Sequence, residues 1–138
     1  MKTPFTGGCL CGEIRYECST EPELMYYCHC TDCRKANGTA FHTGMYIKRT
    51  GFHITNGTTR SHAKVADSGR TIVRHFCGHC GAHIYSDKGD ESEMISLKSG
   101  SLDSPETFKP DTEIWADSKV SWADLPDDLK SFKKGPFD

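Results

Sequence analysis

Six residues, Cys28-His29-Cys30-Thr31-Asp32-Cys33, carry three thiols. Thiolate sulfur is a preferred zinc ligand, at about 2.3 Å. In an extended segment, residues two apart point to the same side. Cys28 and Cys30 can therefore reach one ion, and a turn through Thr31 and Asp32 can bring Cys33 to it. Three protein ligands leave one tetrahedral position open, the arrangement of a catalytic zinc. Three thiolates also donate much electron density, so such an ion suits holding an incoming thiol as thiolate better than activating water. A second cysteine pair sits in Phe76-Cys77-Gly78-His79-Cys80-Gly81, a CxxC followed by glycine that reads as a zinc knuckle. Its partner is the CxC in Gly7-Gly8-Cys9-Leu10-Cys11-Gly12. If that segment is extended, Cys9 and Cys11 share one face. With Cys77 and Cys80 they would close a four-sulfur structural site that ties the start of the chain to its middle.

Eight cysteines form an even set, which in a small secreted chain would suggest disulfides. Residues Met1 to Gly8 contain no apolar signal segment, and tight CxC and CxxC clusters favour metal over S–S pairing. A redox dithiol of the thioredoxin kind would want a βαβ setting, and this neighbourhood is rich in strands. The 138 residues fit one zinc-binding domain, 1–138. A net charge of −2 argues against nucleic acid or an anionic membrane as partner. No apolar run reaches the roughly 18 residues of a membrane span. The expectation is a soluble, cytoplasmic protein.

The elements that must position these sulfurs read mainly as strands. Glu13 to Cys18 alternates, with Ile14, Tyr16 and Cys18 on the apolar face, so Cys18 is read as a core residue. Leu24 to Cys28 is a strand that delivers the central motif. Asp32 to Asn37 reads as one or two helical turns, stopped by Gly38. Phe41 to Lys48 and Phe52 to Thr55 are strands. Asn56-Gly57 predicts a hairpin that returns as Thr58 to Val65, and Asp67-Ser68-Gly69 predicts a second turn before Thr71 to Phe76. His83 to Ser86, Glu93 to Ser99 and Glu113 to Trp115 are further strands, Pro105 to Pro110 a loop, and Pro126 the start of a short helix. The pattern predicts a mostly β fold with short helices.

The three cysteine segments, with Ile114-Trp115 and the tail from Pro126 to Pro136, resemble the glutathione-dependent formaldehyde-activating enzyme family, which includes centromere protein V. The resemblance runs from about residue 7 to 136. It implies the zinc-bearing β-tent (Mss4-like) fold. It also implies two zinc ions per chain: a structural one on Cys9, Cys11, Cys77 and Cys80, and a catalytic one on Cys28, Cys30 and Cys33. The second has fewer ligands and is the easier to lose. The implied activity is that of a carbon–sulfur lyase on a small-thiol adduct such as S-hydroxymethylglutathione, with glutathione as the thiol partner. The alternative is a non-catalytic zinc-stabilised binding or scaffolding module. A methionine sulfoxide reductase would need a reactive cysteine late in the chain, and the one spare thiol, Cys18, is early and inward-facing.

The catalytic acid or base and the substrate-binding residues stay unassigned at this stage. By strand parity His29 points away from its flanking ligands, His79 is a turn residue, and His42, His53, His62, His75 and His83 read as structural. Asp32 reads as a helix cap in preference to a proton acceptor. Arg34, Lys35, Lys48, Arg60, Lys64 and Arg74 are the cations from which a substrate carboxylate could choose. Trp115 and Trp122 could line a pocket, with apolar packing as the default reading. Residues 125–137 could cover one end of the sheet or a dimer face. Monomer and homodimer both remain open.

Overall fold

Residues 1–135 are described from a computed structural model. Eleven strands and one helix follow in order: β1 (Phe5–Gly8), β2 (Arg15–Cys18), β3 (Leu24–Cys28), α1 (Thr31–Asn37), β4 (His42–Lys48), β5 (Phe52–Asn56), β6 (Thr59–Val65), β7 (Thr71–Cys77), β8 (His83–Asp87), β9 (Met94–Lys98), β10 (Thr112–Ile114) and β11 (Lys130–Ser131). The fold is mostly β, as its alternating pattern predicts. The strands form a three-stranded sheet, β1-β2-β5, and an eight-stranded sheet, β11-β10-β3-β4-β9-β8-β7-β6.

Alternation assigns each strand two faces. Ile14, Tyr16 and Cys18 turn inward from the small sheet and pack against Met45, Ile47, Ile95 and Leu97 of the large one. This apolar layer joins the sheets, and Cys18 belongs to it, as its place in the alternation predicts. The opposite face of the large sheet has a different composition. Its register aligns Arg74, Ser86, Ser96, Tyr46 and Leu24 in one row across five strands. The next row runs Lys98, Gly44, Tyr26, Thr112 and Lys130. Small residues in the first row, Ser86 and Ser96, line a cleft of about 1030 Å³, whereas the space over Gly44 in the second row is filled by His42 and Tyr26.

Two expected connections differ. Asn56-Gly57 turns the chain but makes no hairpin: β5 pairs with β2, whereas β6 pairs with β7 in the other sheet. Asn56 spends its side chain on the Glu13 carbonyl, at 2.7 Å, and so fastens the crossing point instead. No helix starts at Pro126; the tail forms β11, parallel to β10, with Lys130 N–H donating to the Asp111 carbonyl at 2.9 Å. The tail thus extends the sheet edge. The remainder of the expected tail, residues 136–138, lies outside the described residues.

Candidate metal centres

Two loops build the first sulfur cluster. Past β1 the chain does not stay extended: Gly12 N–H donates to the Cys9 carbonyl at 3.2 Å, closing a turn around Leu10 and Cys11. Cys9 and Cys11 therefore meet through this turn and not through a shared strand face. The Cys9 sulfur accepts from the Ile14 amide at 3.2 Å. Past β7, Gly81 N–H donates to the Cys77 carbonyl at 2.8 Å. The Cys77 sulfur accepts from the amides of His79 and Cys80, both at 3.4 Å. The Ile14 donor favours the thiolate form of Cys9. The Cys80 thiol is held down to about 6, first by the Ala82 backbone and then by that of Cys11. Cys9 and Cys11 sulfurs are 3.6 Å apart and those of Cys11 and Cys77 3.8 Å. A tetrahedron with metal–sulfur arms of about 2.3 Å has edges of about 3.8 Å. All four sulfurs lie within 4.8 Å of one another, so Cys9, Cys11, Cys77 and Cys80 could hold one ion. All eight cysteines are free thiols.

The second cluster stands at the end of a central strand. Cys28 closes β3, and His29 extends it by one bond, its N–H donating to the Ile114 carbonyl at 3.0 Å. Cys30 is the N-cap of α1, where its sulfur accepts the Cys33 amide at 3.3 Å. A thiol thus takes the capping role expected of Asp32, whose carboxylate instead pairs with Lys64 at 2.8 Å. Gly38 ends the helix at φ 67°, a left-handed cap as predicted. The sulfurs of Cys28, Cys30 and Cys33 lie within 4.8 Å of one another and could hold an ion. The Cys33 thiol sits well below its ordinary value, first because Cys28 and Cys30 hydrogen-bond to it, and further because Lys98 and Arg74 are near. Cys28, on the other side of those bonds, is pushed far up. Three crowded thiols cannot all ionise unaided, so this cluster favours a cation.

His29 is fully buried and points away from the sulfurs; its Nε2 meets the Glu113 carboxylate at 2.9 Å. The contact fixes the strand end between Cys28 and Cys30 against β10. The cleft floor beside the sulfurs is polar. Lys98 Nζ lies 3.1 Å from His42 Nδ1. An ammonium only donates, so Nδ1 accepts and the ring proton sits on Nε2. Nε2 faces Ser96 Oγ at 3.3 Å and the Tyr26 hydroxyl at 3.4 Å, and Tyr26 and Ser96 also hydrogen-bond to each other. Burial first, and then the Lys98 charge, holds His42 neutral well below its ordinary value. Gly44 makes this cluster possible, because a Cβ there would lie 2.3 Å from His42 Nε2.

The description of the family whose pattern this chain matches over residues 4–118 is "glutathione-dependent formaldehyde-activating enzyme". The chain belongs to this family. A solved structure of a Rhodobacter sphaeroides protein is similar at 17% identity, with a TM-score of 0.54, covering 71% of this chain and 87% of that one. That likeness supports the fold. Against this family background, several residues take new places. Of the six cations named from sequence, only Arg74 lines the cleft. Trp115 lines it, while Trp122 is 70% exposed and does not. His42, Lys98, Tyr26 and Ser96 are the cleft residues that sequence reading missed; strand parity places them on one face only once the order β3-β4-β9 is known. No helix among the described residues is long and apolar enough to cross a membrane.

Proposed function

We propose that this chain is a zinc-dependent carbon–sulfur lyase acting on a small-thiol adduct, with S-hydroxymethylglutathione as the type of substrate the family name suggests. One observation carries this reading: the cluster with three sulfurs, and not the one with four, opens on the cleft. On this reading Cys9, Cys11, Cys77 and Cys80 hold a closed structural zinc, and Cys28, Cys30 and Cys33 a zinc with a vacancy. Bound there, zinc would keep a ligated thiol deprotonated at neutral pH.

The chain's own residues supply the rest. In the synthetic direction the thiolate sulfur attacks the aldehyde carbon, an S–C bond forms, and the carbonyl electron pair moves to oxygen, which takes up a proton. In the lyase direction the hydroxyl loses that proton, the S–C bond breaks, and its electron pair leaves on sulfur. The developing oxyanion needs donors. Lys98 and the hydroxyls of Tyr26 and Ser96 are those the floor offers, held in place by His42. The buried floor keeps them clear of bulk water, which raises their effect.

Cys30→Ser tests the reading. Serine is itself a good N-cap, so α1 keeps its first turn. The expected result is one zinc per chain where the parent holds two, a far-ultraviolet circular dichroism spectrum unchanged, and the glutathione–formaldehyde reaction back at its uncatalysed rate. Turnover equal to the parent's would overturn the lyase assignment and leave the zinc-stabilised binding module.

A further inference from the structure

Arg74 is 8% exposed and lines the cleft, yet no acceptor among the described residues satisfies its guanidinium. The acidic groups around the cleft are committed or remote: Asp32 pairs with Lys64, Asp87 with Arg49 and Glu23 with Lys48, while Asp67, Glu91, Glu93 and Asp111 are exposed at the rim. Among the described residues Lys98, also 8% exposed, has the neutral His42 ring as its one side-chain hydrogen-bond partner and the cysteine cluster as its electrostatic neighbour. The two cations stand in neighbouring rows of one sheet face, separated by Ser86 and Ser96, whose small side chains leave space above the floor. Burying an uncompensated charge is expensive, and lysine can escape by losing its proton whereas arginine cannot. Arg74 therefore stays charged: the cysteine cluster is near enough to feel that charge, but the guanidinium fork has no hydrogen-bond acceptor among the described residues, so its donors are left for a ligand in the cleft.

We propose that Arg74 is the carboxylate anchor of the substrate site, so that the three-cysteine centre selects thiols bearing a carboxylate over neutral ones. This rests on the function proposed above. The guanidinium fork receives the carboxylate through two parallel hydrogen bonds, a geometry lysine does not reproduce. The anchored carboxylate reaches along the cleft from Arg74, and the thiol end meets the sulfurs of Cys28, Cys30 and Cys33. Arg74 is a specificity residue here; it takes no part in bond making.

The test measures binding by calorimetry on the zinc-loaded protein, with glutathione and with its diethyl ester, and no aldehyde present. Parent protein is expected to bind the free acid about 10- to 100-fold more tightly than the ester, the size of a charged hydrogen-bonded contact. In Arg74→Gln that preference collapses to within about twofold, by weaker binding of the acid alone. Equal binding of acid and ester by the parent overturns the anchor even if Arg74→Gln fails to fold. A preference that survives in the folded variant also overturns it. Turnover, assayed separately, judges the lyase reading. Acid-selective binding without turnover leaves the anchor standing and removes the lyase, and turnover without acid preference does the reverse.

Discussion

The two sulfur clusters use the same ligand atom and differ in what surrounds it. Cys9, Cys11, Cys77 and Cys80 come from two surface turns, and backbone amides point at their sulfurs. Cys28, Cys30 and Cys33 come from one strand end and the helix turn behind it, and they border a cleft floored with His42, Tyr26, Ser96 and Lys98. The first joins segments 66 residues apart, so an ion there would cross-link the chain. The second joins residues that β3 and α1 already hold together, so an ion there would add little to the fold, in keeping with the chemical role proposed for it. The number of sulfurs alone does not separate the two proposed roles; the distance along the chain that each cluster spans, and the cavity beside it, support the division.

Removing a sulfur from each cluster is the strongest way to break this comparison. Cys77 is fully buried at the end of β7. A structural zinc contributes on the order of 10 kcal/mol to the domain that holds it, comparable with a domain's entire stability. Cys77→Ser is therefore expected to abolish the folded, soluble protein or lower its melting temperature by about 20 °C or more. Cys30→Ser should shift it by about 5 °C or less, because the helix cap is kept. Thermal melts followed by circular dichroism, with zinc content measured on the same samples, compare the two. Equal destabilisation would dissolve the division into a closed and an open centre.

Gly44→Ala separates the second cluster from the floor beneath it. The new methyl carbon would lie 2.3 Å from His42 Nε2 and 2.9 Å from Tyr26 Cζ, so the ring must leave its place against Lys98 and Ser96. Overpacking of this kind costs about 1–3 kcal/mol of stability. Misplacing the donors by an ångström is expected to lower kcat/KM by about 100-fold. Both zinc ions should remain, because no sulfur is touched. Steady-state kinetics beside metal analysis gives the answer, and unaltered kcat/KM would show that the polar floor is scaffolding only.

Both clusters were legible as spacing: pairs at i and i+2 or i+3 need no long-range knowledge to suggest shared ligands. Strand faces were legible by alternation, which placed Ile14, Tyr16 and Cys18 in the core. Whatever depended on the order of strands was not. The Asn56-Gly57 turn has hairpin chemistry, but β5 finds its partner in β2 and β6 in β7, choices made by distant apolar surfaces. Lys98 and His42 look like ordinary strand residues until β4 and β9 are adjacent. Asp32 lost its capping role because the Cys30 sulfur precedes it and Lys64 arrives from β6 to claim the carboxylate. In the tail, Pro126 carried a helix-start signal, yet pairing with β10 decided the outcome.

The smallest expected effect lies beside the closed cluster. Arg15, on the strand that follows the Cys9–Cys11 turn, grips Asp103 with both guanidinium nitrogens, and Asp103 also accepts from the Thr6 hydroxyl at 2.6 Å. These contacts, Arg15 first, hold the Asp103 carboxyl at about 2 against an ordinary 3.8. A depressed folded-state value means that the unfolded chain takes up the proton first. The contribution is therefore complete above about pH 4 and disappears as pH falls through about 2. With 44% of its side chain exposed, solvent screens the pair and limits that contribution to about 1 kcal/mol or less. Asp103→Asn should lower stability by this amount uniformly from pH 8 to pH 5, with the gap to the parent closing only in stronger acid. Urea titrations across the range give the gap directly. Because Asp103 secures the β1–β2 edge that carries Cys9, and nothing near the cleft, the same variant should leave kcat/KM unchanged. A gap that varied between pH 8 and 6 would tie Asp103 to thiol ionisation, and the closed cluster would no longer be the purely structural member of the pair.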